Sequence, residues 1–240
     1  MGYHQFAEGE LLYKNNLSTP EDIDDWKVEG EMFARFKKNT LFLKNKLDPD
    51  IHGDKSHWVF WCPVDFPDNV MIQWEFCPIA EPGLCMMFFA ATGRKGEDIF
   101  DQSLPNRTGV YPQYHSGAIN ALHLSYFRHK QAEERAFRTC NLRKSFGFHL
   151  VAHGADPLPP VTDVIEPYHM KVVKYDEIVQ FSINELPILE WEDDGQTFGP
   201  VYKGGKIGIR QMAPMEAAYS NFTVHRAVSI KEAEGRSSSV

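Results

Sequence analysis

The sequence predicts an all-β protein, an antiparallel sandwich or jelly roll, on three observations. Short runs rich in β-branched and aromatic residues recur along most of the chain, bounded by Gly, Pro and Asn/Asp turn chemistry. Helix candidates are few and short. The C-terminal half alternates apolar with polar residues at the two-residue period of a half-buried strand, as in VQFSIN at 179–184.

A first strand is expected at 10–15. Ser18, Thr19, Pro20 and Glu21 then form a capping signal for a short helix at 22–25. Residues 33–36 and 40–43 alternate like a hairpin. Strands follow at 58–62, 70–77, 84–91, 120–128, 137–143 and 149–152, with helical turns expected at 98–103 and 130–136. Further strands fall at 169–174, 178–183, 187–191, 206–212 and 218–225. Asn184-Glu185 and Asp194-Gly195 read as turns between them. No internal repeat or linker divides the chain, so a single domain is expected over 1–227, followed by a tail at 228–240 without apolar periodicity.

The 240 residues suffice for one large β-domain. With 25 Lys and Arg against 33 Asp and Glu, the formal net charge is −8. An acidic surface argues against nucleic acid as a partner. It leaves room for a local basic cluster that takes an anionic sugar. No apolar run approaches membrane-spanning length, and the first residues lack a signal-peptide pattern, so no membrane partner and a cytoplasmic setting are expected. Cys62, Cys77, Cys85 and Cys140 have no CxxC spacing and read as free, mostly buried thiols.

The chemistry-bearing stretch runs from 114 to 144. Strand alternation puts His123 and Ser125 on one face and Leu122, Leu124 and Tyr126 on the other. In the following strand Thr139, Asn141 and Arg143 share a face, opposite Arg138, Cys140 and Leu142. If the two strands are neighbours, His123, Ser125, Asn141 and Arg143 line one surface suited to a carboxylated or sulfated sugar. A lone His is more often structural than functional; His115, His123 and His129 within this region, with His149 just beyond it, bring those odds toward even. Arg128, His129 and Lys130 read as solvated surface. No paired-carboxylate Glu-x-Asp-x-x-Glu arrangement of a retaining glucanase is present. Glu75, beside Gln73 in QWEF at 73–76, stands alone. There is no nucleophile elbow, P-loop or dinucleotide fingerprint. His52 and His57 are weak evidence for a metal.

Longer motifs carry a resemblance. WVFWCP at 58–63, PGLCMMFFAA at 82–91, YHSG at 114–117, NALHLSYFR at 120–128, ERAFRTCNLRKS at 134–145, GADPLP at 154–159 and KIGIRQMAPM at 206–215 resemble the YesU-like family, which is of unknown function. The resemblance spans roughly residues 11–227. It implies a concanavalin A-like antiparallel sandwich, work on uronate-containing oligosaccharides of the rhamnogalacturonan type, and likeness to an oligosaccharide dehydratase of ulvan breakdown.

Dehydration across C4–C5 of a terminal uronate would suit these residues. Arg143 and Asn141 would neutralise the carboxylate and make the C5 proton acidic. His123 or His115 would take that proton, and Tyr114 or Tyr126 would protonate the departing hydroxyl. Tyr126 faces away from His123 by alternation, which favours Tyr114. Ser125, Arg138, Lys144, Gln73, Glu75 and Arg210 complete the sugar-binding candidates. No metal or organic cofactor is required; a structural Ca²⁺, as some relatives of this fold bind, is not indicated. A hydrolase using Glu75 and a non-catalytic sugar-binding module are the competing readings.

Overall fold

The architecture of this computed structural model, which describes residues 4–230, follows from strand alternation. Two antiparallel sheets face each other. The first has the order β13-β12-β11-β6-β15-β4-β3, with β1 also paired to β15. Its strands are β1 (Phe6–Asn15), β3 (Met32–Phe36), β4 (Leu41–Asn45), β6 (Val70–Ala80), β11 (Tyr168–Tyr175), β12 (Ile178–Ile183), β13 (Leu186–Glu192) and β15 (Glu216–Ser229). The second has the order β10-β9-β8-β7-β14-β5-β2. It comprises β2 (Lys27–Gly30), β5 (Trp58–Trp61), β7 (Leu84–Gly93), β8 (Ile119–Tyr126), β9 (Thr139–Ser145), β10 (His149–Ala155) and β14 (Lys206–Met212).

The expected strands are present, and β2 is an addition: KVEG carries one large apolar residue and gives no readable alternation. The helices are single turns, α1 (Pro49–His52), α2 (Pro112–His115) and α3 (Ala132–Ala136). The helix expected at 22–25 is a 3-10 turn at Pro20–Ile23, and 98–103 is turns without a helix. Strand β15 runs to Ser229, two residues past the expected domain end, and 231–240 lie outside the described residues. Among the described residues no helix is long and apolar enough to cross a membrane.

The main core fills the space between the sheets. Trp74, Phe76 and Tyr219 from the first sheet meet Phe89, Leu124 and Tyr126 from the second. Burial of such aromatics removes about 150–250 Å² each from water and dominates the stabilisation. All four cysteines are free, and three of them are buried.

A second apolar layer lies on the outer face of the second sheet. Segment 94–118 leaves the end of β7 and folds across that face. Ile99 and Tyr114, with partly buried Phe100, Leu104 and Tyr111, pack on Trp61, Phe88 and Ala121. The sheet face that would otherwise be open is thereby half roofed. Toward the edge the cover thins: Ser125 and Asn141 are buried, Arg143 is partly exposed, and Leu150 and His153 on β10 are exposed.

Candidate functional site

Register decides which side chains meet on that face. Directly opposed residues of neighbouring strands project to the same side. One row crosses the sheet as Val59, Arg210, Met86, Ser125, Asn141 and His153. The next crosses as Trp61, Gly208, Phe88, His123, Arg143 and Leu150. His123, Ser125, Asn141 and Arg143 thus form a two-by-two block, His123 opposite Arg143 and Ser125 opposite Asn141.

At the centre of the block, His123 is 1% exposed and its ring stacks on Phe88 at 5.2 Å. Its Nδ1 lies 2.9 Å from the hydroxyl of Tyr111 and its Nε2 lies 2.8 Å from Ser145 Oγ. Burial first, and then the charges of Arg143, His115 and Arg210, hold the imidazole well below its usual range, so it is neutral near pH 7. Burial raises the Tyr111 phenol, against the opposing pull of Arg210 and Arg143. The result is a neutral Tyr–His pair flanked by two guanidiniums.

Segment 94–118 and the β9–β10 hairpin bring the surrounding groups. Tyr111 and His115 bracket the single turn α2, four residues apart, and their rings meet at 4.8 Å. The hairpin contributes Phe148, 4.2 Å from the His115 ring, and Arg143 lies 4.0 Å over Phe148 while donating to its carbonyl at 3.2 Å. Burial, then Arg143 and Arg210, lower His115.

Arg210 is fully buried, 4.8 Å from the Tyr111 ring centre, and donates to the Gly109 carbonyl at 2.6 Å. Among the described residues no protein group accepts from its Nε or Nη2. Gly109 is required here: at φ +88° its Cβ would meet the His57 carbonyl oxygen at 2.1 Å. Neither Arg143 nor Arg210 has a carboxylate partner among the described residues. The neighbouring acid, Glu29, is instead engaged by Arg107 at 2.6 Å, by the Trp61 indole at 3.0 Å and by the Tyr114 hydroxyl at 2.8 Å.

Several candidate residues lie elsewhere. Tyr114 is buried, and its hydroxyl donates to Glu29 and accepts from the Gly109 N–H, so it anchors segment 94–118 instead of facing the His123 cluster. Tyr126 points into the main core, as alternation requires. Lys144 also faces inward from β9, with Nζ 2.7 Å from Asp193 and 2.8 Å from the Gly199 carbonyl. Arg138 precedes β9 and donates to the Leu158 carbonyl. Gln73 and Glu75 lie on β6 of the first sheet, where Gln73 donates to Glu8 at 2.7 Å; they are on the other side of the sandwich. A hydrolytic pair built on Glu75 therefore has no partner in this site.

Tyr111, Ser145 and Phe148 were not legible as site residues. The available signal was Pro112 at the start of a turn, whose helical geometry puts Tyr111 and His115 on one side. No group of three or more His, Cys, Asp or Glu that could hold a metal ion occurs among the described residues.

A family model described as "Domain of unknown function (DUF1961)" matches residues 10–224. The chain is 59% identical over 223 residues to the uncharacterized protein YesU of Bacillus subtilis (strain 168), an alignment covering 93% of this chain and 99% of YesU. It superimposes with a TM-score of 0.90 on a crystal structure of a Bacillus subtilis protein of unknown function with a galectin-like fold, 58% identical, covering 94% of this chain and all of that one. A more distant likeness, TM-score 0.58 at 11% identity, is to the carbohydrate recognition domain of Emp47p, covering 90% of this chain and 95% of that one. That last likeness is one of fold.

Proposed function

The chain belongs to the DUF1961 family, of unknown function, and from that premise we propose that it is a carbohydrate-active lyase, a dehydratase acting on oligosaccharides with a uronate at the non-reducing end. The fold class, shared with a carbohydrate recognition domain, supports a sugar ligand. The observation that carries the reading is the neutral Tyr111–His123 pair set between Arg143 and Arg210, two guanidiniums without a carboxylate of their own.

Chemistry follows from that charge pattern. A sugar carboxylate supplies the missing counter-charge to Arg143, which is partly exposed. Neutralising the carboxylate lowers the barrier to removing the C5 proton, because negative charge builds on that group as the bond breaks. Tyr111, partly exposed at the edge of the cluster, is the proton carrier toward the sugar. His123 acts through it: both ring nitrogens are engaged and the ring is buried, so it is a positioning and relay group. Its neutrality lets it exchange a proton with the phenol, and Arg210 at 4.8 Å stabilises the phenolate. The Phe148 ring, against His115 at 4.2 Å and under Arg143 at 4.0 Å, holds that guanidinium at the rim.

Incubation with pectic and algal oligosaccharides carrying a non-reducing uronate tests the proposal. The expected result is a new ultraviolet absorbance from the C4–C5 double bond conjugated to the carboxylate. Binding without that signal on every such substrate would leave a binding module, and release of saturated reducing ends would leave a hydrolase.

A further inference from the structure

We propose that Ser145 is a positioning residue: it fixes His123 with its hydrogen on Nδ1, so that Tyr111 accepts from the imidazole and turns its own hydrogen outward, as a donor to the ligand. This describes the resting site and holds whatever reaction, if any, the ligand undergoes.

Three hydrogens compete for two hydrogen bonds. The Tyr111 hydroxyl lies 2.9 Å from Nδ1 of His123, and Ser145 Oγ lies 2.8 Å from its Nε2. Each hydroxyl carries one hydrogen, and a neutral imidazole carries one on either ring nitrogen. A doubly protonated ring does not fit. The ring is buried, its two nitrogens meet hydroxyls instead of carboxylates, and burial with the neighbouring arginine charge keeps it neutral near pH 7.

Two arrangements follow. In the first, Ser145 donates to Nε2, Nδ1 donates to the Tyr111 oxygen, and the hydrogen left over belongs to Tyr111. In the second, Tyr111 donates to Nδ1, Nε2 donates to Ser145 Oγ, and the hydrogen left over belongs to Ser145.

The two ends differ in what they can do with it. Ser145 closes β9, paired with Ala121 of β8, and is fully buried; its hydroxyl meets no acceptor other than His123 among the described residues. A hydrogen left there is a desolvated donor without a partner, which is costlier than an unused oxygen lone pair. Tyr111 is partly exposed, so the tyrosine is the end that can give its hydrogen to water or to a ligand. The first arrangement is therefore the stable one.

An isolated neutral histidine favours the opposite form, with the hydrogen on Nε2. The Nδ1 form needs a cause, and the Ser145 hydroxyl supplies it. The consequence is one of polarity. Arg143 and the outward hydroxyl of Tyr111 are then both donors, the complement of a carboxylate or sulfate oxygen.

The test is a long-range ¹H–¹⁵N correlation spectrum of the labelled native full chain at neutral pH, in which a protonated ring nitrogen resonates far upfield of a bare one. The expected pattern for His123 is a protonated Nδ1 and a bare Nε2. Ser145→Ala removes the donor to Nε2 and should raise the ratio of the Nε2-protonated to the Nδ1-protonated form about 5-fold, the worth of one ordinary hydrogen bond. Ser145→Cys, close in size but a weaker donor, should move the ratio in the same direction by less. A wild-type ring protonated on Nε2 would overturn the proposal, and so would variants whose His123 pattern matches the wild type.

Discussion

The hydroxyl of Tyr111 meets Nδ1 of His123 at 2.9 Å, and Ser145 Oγ closes the other side of the ring at 2.8 Å. This chain of three side chains comes from three places: the single turn α2, strand β8 and the end of β9. Tyr111→Phe removes one oxygen and leaves the ring contacts with His115 and Phe148 in place. The expected outcome is a kcat lowered about 100- to 10,000-fold, the usual worth of a positioned proton carrier, with oligosaccharide binding retained. Steady-state kinetics beside a calorimetric binding titration would check it; retained kcat would remove Tyr111 from the chemistry.

Arg143 should behave differently. Its guanidinium meets the solvent side of the cluster and has no acidic partner among the described residues. Arg143→Gln is expected to raise KM roughly 10- to 100-fold, matching one or two charge-assisted hydrogen bonds. The same substitution should make little difference to binding of the methyl-esterified sugar. Equal losses for acid and ester would contradict a carboxylate contact.

Arg210 sets activity against stability. Its guanidinium is buried, and two of its nitrogens lack a protein acceptor. Arg210→Met should leave the melting temperature unchanged or raise stability by up to about 2 kcal/mol. Turnover should fall, because the phenolate loses the positive charge stacked on its ring. A strongly destabilised variant would show that the arginine is a structural post.

Acid should weaken the fold through its buried imidazoles. Burial, then Arg210, lower His57 to about 4, and burial holds His123 well below its ordinary value. Both are neutral when folded and take up a proton on unfolding near pH 6.5. A depressed folded-state pKa gives stability that is complete above about pH 6.5 and lost as pH falls toward the folded value. For His57 the loss amounts to about 3 kcal/mol by about pH 4. Urea midpoints measured at about pH 7 and about pH 5 should differ in that direction; equal midpoints would contradict it.

Much of the sandwich could be read from the sequence because strand alternation is local. The same rule put His123, Ser125, Asn141 and Arg143 on one face, and it also turns Tyr126 and Lys144 inward. What alternation cannot give is the partner of a loop. Segment 94–118 has no period, so its lying across the second sheet, with Tyr114 bound to Glu29 and Tyr111 to His123, depends on contacts 85 and 12 residues apart in the chain. Gln73 and Glu75 illustrate the converse limit. Their strand and its period are legible, but the sheet to which β6 belongs is a matter of topology.

A crystal structure of Tyr111→Phe soaked with a glucuronyl disaccharide measures directly where the uronate sits. The carboxylate is expected within hydrogen-bond distance of the Arg143 guanidinium, with C5 facing residue 111. A sugar bound elsewhere, such as in the groove of about 320 Å³ between Phe6, Lys171 and Gln180 on the first sheet, would contradict it.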